Sequence, residues 1–91
     1  MVSDTGAWDA AGVKVNVTRK TFEREMRKAK LSAYLGERSD YWEGYQLGLR
    51  RAYYGKKFGT GAQHALRMSL ADDTDEVLRE RGRGYRDGLG V

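Results

Sequence analysis

The sequence predicts an all-α fold, a small bundle of three to four helices with a short extended N-terminal arm. Three observations carry that expectation: apolar residues recur at helical spacing in four stretches, cap-type residues open each of them, and no proline interrupts any. Punctuation falls instead to glycine, with 12 in 91 residues, several of them just after a periodic stretch ends.

Residues 1–12 are polar, glycine-containing and aperiodic, and are expected to be flexible apart from an anchor at Trp8. Val13, Val15 and Val17 alternate with Lys14 and Asn16, the period of a strand. No second run offers this segment a pairing partner, so it is expected to be an extended arm, an edge strand if two copies associate. A single helical domain then spans residues 13–91.

Thr18 is the expected N-cap of a first helix that runs to about Leu35 and stops at Gly36. Phe22, Met26, Ala29 and Ala33 fall on one face of it, with Lys20, Arg24, Arg27 and Lys28 opposite. Leu31 and Tyr34 break this pattern, which predicts a cover over the last turn. Asp40 and Glu43 form an acidic variant of the capping box and open a second helix ending near Tyr54-Gly55. Thr60 and Gln63 predict another capping box, starting a short third helix to about Leu70 with a small-residue face of Ala62, Ala65, Leu66 and Ser69. Asp73 or Thr74 is the expected cap of a fourth helix through Val77, Leu78, Gly82, Tyr85 and Leu89. Its glycines each cost about 1 kcal/mol against alanine, so this helix depends on tertiary packing.

The second and fourth helices share a hexad. Gly44-Tyr45-Gln46-Leu47-Gly48-Leu49 and Gly84-Tyr85-Arg86-Asp87-Gly88-Leu89 agree in Gly-Tyr-x-x-Gly-Leu, forty residues apart. Glycines at i and i+4 leave one helix face open to close approach of another backbone. The expectation is that Gly44, Tyr45, Gly48, Leu49, Gly84, Tyr85, Gly88 and Leu89 pack the two helices together, antiparallel, as a pseudo-symmetric pair. A ligand cleft between the glycines is the functional alternative. Two copies fall short of the three or so repeats a solenoid requires, so a duplicated helical hairpin describes the pattern better.

Composition narrows the chemistry. Without cysteine there are no disulfides and no thiolate metal sites. His64, the only histidine, has no nucleophile at a recognisable spacing. The acids Asp72, Asp73, Asp75 and Glu76 are explained by capping and the helix dipole without a metal. No nucleophile elbow, phosphate-cradling loop or dinucleotide fingerprint is present. The expectation is therefore a non-enzymatic protein with no metal and no cofactor. Met1 to Gly6 lacks a basic region and an apolar core, and no apolar run approaches the roughly 20 residues of a membrane span, so a cytoplasmic protein is expected.

Charge is unevenly placed, with residues 19–38 summing to +4, residues 39–59 to +2 and residues 60–78 to −3 within a net charge of +4. Lys20, Arg24, Arg27 and Lys28 on the first helix, with Arg50, Arg51, Lys56 and Lys57 around the end of the second, form the candidate partner-binding set. Glu23 and Glu25 interleave the stripe and weaken a pure phosphate-tracking role. Tyr53, Tyr54 and Phe58 beside the basic residues are the combination that single-strand binders use, although core packing is the favoured account of these rings. A helix-turn-helix reader fits poorly, because the second helix is rich in Tyr, Trp and Gly rather than in base-reading polar residues.

Asp40-Tyr41-Trp42-Glu43-Gly44-Tyr45, Gly48-Leu49-Arg50-Arg51-Ala52-Tyr53, Phe58-Gly59-Thr60, His64-Ala65-Leu66 and Arg81-Gly82-Arg83-Gly84-Tyr85 resemble segments of small accessory proteins of proteobacterial prophages and integrative elements. The resemblance covers about residues 40–89 and carries no catalytic residue. In size and type the chain is also similar to anti-CRISPR proteins, which block host defence complexes by protein binding. This likeness implies a phage- or element-type inhibitor that binds a host defence protein or ribonucleoprotein complex. The alternatives are a small basic nucleic-acid-binding regulator and a homodimer formed through the Val13–Val17 arm.

Overall fold

A computed structural model of the chain describes residues 17–36 and 38–91. They form four helices: α1 (Arg19–Tyr34), α2 (Ser39–Tyr54), α3 (Gly61–Ser69) and α4 (Glu76–Leu89). Single 3-10 turns at Gly55–Lys57 and Leu70–Asp72 follow α2 and α3, and no strand occurs among the described residues. The Trp8 anchor, the flexible residues 1–12 and all of the valine arm except Val17 lie outside them.

Local sequence explains most of the boundaries. The Thr18 hydroxyl accepts the Thr21 amide at 3.1 Å and starts α1, and Gly36, at φ 87°, turns the chain at its end. Thr60 and Gln63 make the reciprocal capping box of α3, with bonds of 2.9 and 3.0 Å. Two starts differ from expectation. Helix α4 is capped by Asp75, whose carboxylate accepts the Leu78 amide at 3.1 Å, while Asp73 instead accepts the Asp75 amide. Helix α2 begins after Arg38, in the left-handed conformation at φ 52°, with no side-chain cap. The Asp40–Glu43 box does not form because the helix starts two residues earlier and places Asp40 inside its first turn; both carboxylates pair instead with Arg81 of α4, at 3.3 and 3.2 Å.

In space the helices follow the order α1, α2, α4, α3, each packed on the next, and the molecule measures 41 × 27 × 16 Å. Such a flat arrangement keeps the core thin. Leu49 and Tyr85 are the only large side chains fully enclosed among the described residues, and Met26, Ala29, Tyr45 and Ala52 complete the centre.

The middle of the row is the hexad pair, and its direction corrects the antiparallel expectation. A β-carbon placed on Gly44 would lie 2.0 Å from the Arg81 carbonyl oxygen, and one on Gly48 2.1 Å from that of Tyr85. Reciprocally, one on Gly84 would meet the Tyr41 carbonyl, and one on Gly88 would lie 2.1 Å from that of Tyr45. Residue numbers rise together along both helices, so α2 and α4 run parallel. The offset of 40 residues relates each contact to its mate, an approximate two-fold. Because α3 returns the chain to the end where α2 began, α4 can start there and run the same way. Each glycine Cα then sits within about 3.5 Å of a facing carbonyl oxygen, the range of Cα–H···O contacts that a side chain would abolish.

The symmetry extends to the outer helices. The Tyr45 hydroxyl donates to Glu25 of α1 at 2.8 Å. Its counterpart, the Tyr85 hydroxyl, shares a 2.6 Å hydrogen bond with His64 Nδ1 of α3. Each hexad tyrosine thus ties its helix to the one before it, as a duplicated hairpin requires. Gly82 adds a second close approach, where a β-carbon would lie 2.0 Å from the Ala71 amide nitrogen.

Two apolar faces lie differently from expectation. Leu31, Tyr34 and Leu35 at the end of α1 are not covered by any described residue and are 60%, 86% and 68% exposed. In α3 the small-residue face of Ala62, Ala65, Leu66 and Ser69 points to solvent. The helix turns inward instead through His64, Arg67 and Met68, because the Tyr85 hydroxyl draws the imidazole in.

Candidate anionic-partner interface

The basic residues singled out in the sequence separate into three groups. On α1, Arg24 and Lys28 both lean on Glu25, at 3.5 and 2.9 Å. Lys28 also stands 6.0 Å from the Trp42 ring centre and 5.8 Å from that of Tyr45. These two cations are exposed but compensated. The Lys28 ammonium and the Tyr45 hydroxyl hold the Glu25 carboxyl below its ordinary range, against the opposing effect of burial. Burial, and then the hydrogen bond to Glu25, push the Tyr45 hydroxyl up.

The second group faces a groove. Phe22, Glu23, Met26, Arg27 and Lys30 of α1 and Arg50 and Tyr54 of α2 line a cavity of about 340 Å³ open to solvent. Arg27, Lys30 and Arg50 make no ion pair among the described residues, and Glu23 is engaged by Arg19 at 3.0 Å. The floor is apolar and aromatic. Phe22 stacks on Tyr53 with centroids 4.3 Å apart and meets Tyr54 edge-on at 5.7 Å. Tyr54 itself is 50% exposed. Lys20 lies on the outer face of α1, exposed and without an ion-pair partner among the described residues.

The third group surrounds the turn after α2. Lys56 and Lys57 are exposed there. Arg51 departs from the expected surface role, being only 5% exposed, with Nη1 donating to the Phe58 carbonyl at 3.2 Å. It occupies a position one residue beyond Arg50, which turns the side chain from the groove toward the α2–α3 corner. Phe58 is half-buried, with the Arg67 guanidinium 5.6 Å from its ring centre. Of the three candidate stacking rings, Tyr54 is therefore the one left open.

Lys30, Phe22 and Met26 were outside the expected site. A legible signal existed for Lys30, since Glu23, Arg27 and Lys30 recur at i, i+4 and i+7 along one edge of α1. The contribution of Arg50 to the same groove depends on how α2 lies against α1, which no local pattern encodes.

A second surface cavity, of about 400 Å³, is bounded by Arg38, Tyr41, Ala71, Asp72, Arg83, Arg86 and Asp87. Its charges are internally spent: Arg38 and Arg83 pair with Glu80, and Arg86 with Asp72. Burial and then Asp87, which accepts the Tyr41 hydroxyl, push that phenol up to about 12. Among the described residues no group of three or more His, Asp or Glu side chains is placed to hold a metal ion. No described helix is long and apolar enough to cross a membrane.

Comparison with protein-family models, with curated proteins and with solved structures finds no match.

Proposed function

We propose that the protein is a non-enzymatic binding module whose α1–α2 groove holds an anionic surface of a macromolecular partner, a protein or ribonucleoprotein complex of a bacterial host. The observation that supports this reading is the convergence of Arg27, Lys30 and Arg50, without ion-pair partners among the described residues, around the apolar floor of Phe22, Met26 and Tyr54. Unpaired cations over an apolar floor favour a partner segment that brings carboxylates or phosphates together with an apolar or aromatic group. The narrower role, an inhibitor of a host defence complex, follows from the resemblance to prophage and anti-CRISPR proteins. Tyr54 beside Arg50 also favours a second reading, direct binding of single-stranded nucleic acid, in which a base stacks on the open ring.

The experiment is a capture from bacterial lysate with the wild-type chain and with the triple variant R27E/K30E/R50E, with and without nuclease. Wild type should retain a partner after nuclease treatment that the variant loses, with thermal midpoints equal within error. Equal capture by both would remove the groove from the account. A captured species that disappears with nuclease, and whose affinity falls steeply with salt, would select the nucleic-acid reading.

A further inference from the structure

The α2–α3 corner gathers positive charge without any acid. From Gly44 to Ala71 the chain contains no Asp or Glu, yet it contains the cations Arg50, Arg51, Lys56, Lys57 and Arg67, together with the neutral His64. Three of these come together. Burial first, and then Arg51 and Arg67, hold the His64 ring below its ordinary range, while the same two arginines oppose the rise that burial imposes on the Tyr85 hydroxyl. No carboxylate forms an ion pair with Arg51 or Arg67 among the described residues. Arg51 is 5% exposed, and its Nε is enclosed without a hydrogen-bond acceptor. Its one protein acceptor, the Phe58 carbonyl, stands at 3.2 Å, longer than the 2.7–2.9 Å or so of a charge-assisted bond. A buried guanidinium with like-charged neighbours and an incomplete set of acceptors is normally compensated by an anion. That carbonyl belongs to the turn from Gly55 to Thr60, bounded by glycines at φ 67° and 81°, so the group covering Arg51 sits on a short, exposed loop.

We propose that this corner is an oxyanion site, in which Arg51 and Arg67, flanked by His64 and with Lys56 and Lys57 at the rim, take a phosphate group. The planar fork of an arginine matches two phosphate oxygens, and a phosphate seated against Arg51 takes over the role now filled by the long bond to Phe58. The ligand chemistry is that of a phosphate monoester or diester, supplied as a free anion or by a nucleic-acid backbone. The site shares no residue with the α1–α2 groove and stands or falls separately from it.

Thermal unfolding in sodium phosphate, against sodium chloride at matched ionic strength, tests the proposal, with a short single-stranded oligonucleotide as a second arm. At ten times its dissociation constant, phosphate should raise the midpoint by about 6 to 10 °C, with a further logarithmic rise at higher concentration, while the His64 ring resonances should shift and saturate as the site fills. Stabilisation by phosphate alone identifies a free anion; stabilisation by both identifies a backbone phosphate. Arg51→Met should abolish the response. Should that variant fail to fold, Arg67→Gln, at a half-buried site on α3, should weaken apparent phosphate affinity at least tenfold. A phosphate effect no larger than that of chloride, or one that survives both substitutions, would overturn the site.

Discussion

Gly48→Ala places a methyl group where α2 and α4 are closest. Its carbon would fall 2.1 Å from the Tyr85 carbonyl oxygen and 2.8 Å from the Leu89 amide nitrogen, both backbone atoms that cannot rotate away. An unstrained carbon–oxygen contact needs about 3.3 Å, so the helices must part locally by about 1 Å. A gap of that size forfeits a quarter to a half of the dispersion attraction across the seam, and overpacking of this kind costs about 1–3 kcal/mol or more. Alanine returns about 1 kcal/mol of helix propensity. The net loss expected is about 1–2 kcal/mol, a fall of roughly 4–16 °C in midpoint for a domain of this size. Gly61→Ala is the internal control, because a β-carbon there meets nothing within 4 Å at the first position of α3. That substitution should stabilise by about 0.5 kcal/mol. Both variants are measured by urea and thermal denaturation. If Gly48→Ala proved as stable as Gly61→Ala, the close approach of α2 and α4 would be refuted.

Leu49→Ala, at a fully buried position of a thin core, should cost about 2–5 kcal/mol and leave little folded protein at 37 °C, as read by circular dichroism. The carboxyl of Glu25 is held low, so the stability it contributes is complete above the ordinary glutamate pKa and is lost as pH falls through the lowered value; Glu25→Gln should flatten that acid limb of a midpoint-against-pH curve. The Tyr41 phenol is raised to about 12, so its contribution is complete below the ordinary tyrosine range near pH 10 and is lost from there to about 12. Ultraviolet titration should show late tyrosinate steps, since Tyr45 and Tyr85 are raised too, and Tyr41→Phe should remove the one near 12.

Four helices were legible in the sequence because their signals are local. The Thr18 and Thr60 caps, the glycine turn at Gly36 and the 4-3-4 spacing from Phe22 to Ala33 each act within a few turns of chain. The importance of the hexad was legible for the same reason, since glycines four apart can only mark one open face. Its direction was not. Parallel and antiparallel pairs present the same i, i+4 pattern, and the choice is made by α3, which carries the chain back before α4 begins. The Asp40–Glu43 box illustrates the same limit, its helix starting two residues earlier and its carboxylates pairing with Arg81 from forty residues away. In the candidate site the α1 half was visible as a basic stripe. Its division into compensated Arg24 and Lys28 and uncompensated Arg27 depends on where Glu25 points, and Glu25 is drawn inward by Tyr45. Arg50 and Arg51 look alike in sequence, yet one residue of helical rotation sends the first to a groove and the second into the interior.

The parallel hexad pair holds both hairpins in place and with them the groove and the basic corner, and a nuclear Overhauser measurement tests it directly. The parallel register predicts cross-peaks from the Gly48 α-protons to the Leu89 amide and from the Gly84 α-protons to the Tyr45 amide, the two nitrogens each lying 2.8 Å from the corresponding β-carbon position. Cross-peaks joining Gly44 to Gly88 and Gly48 to Gly84 instead would mean that the helices run antiparallel, and would contradict the account.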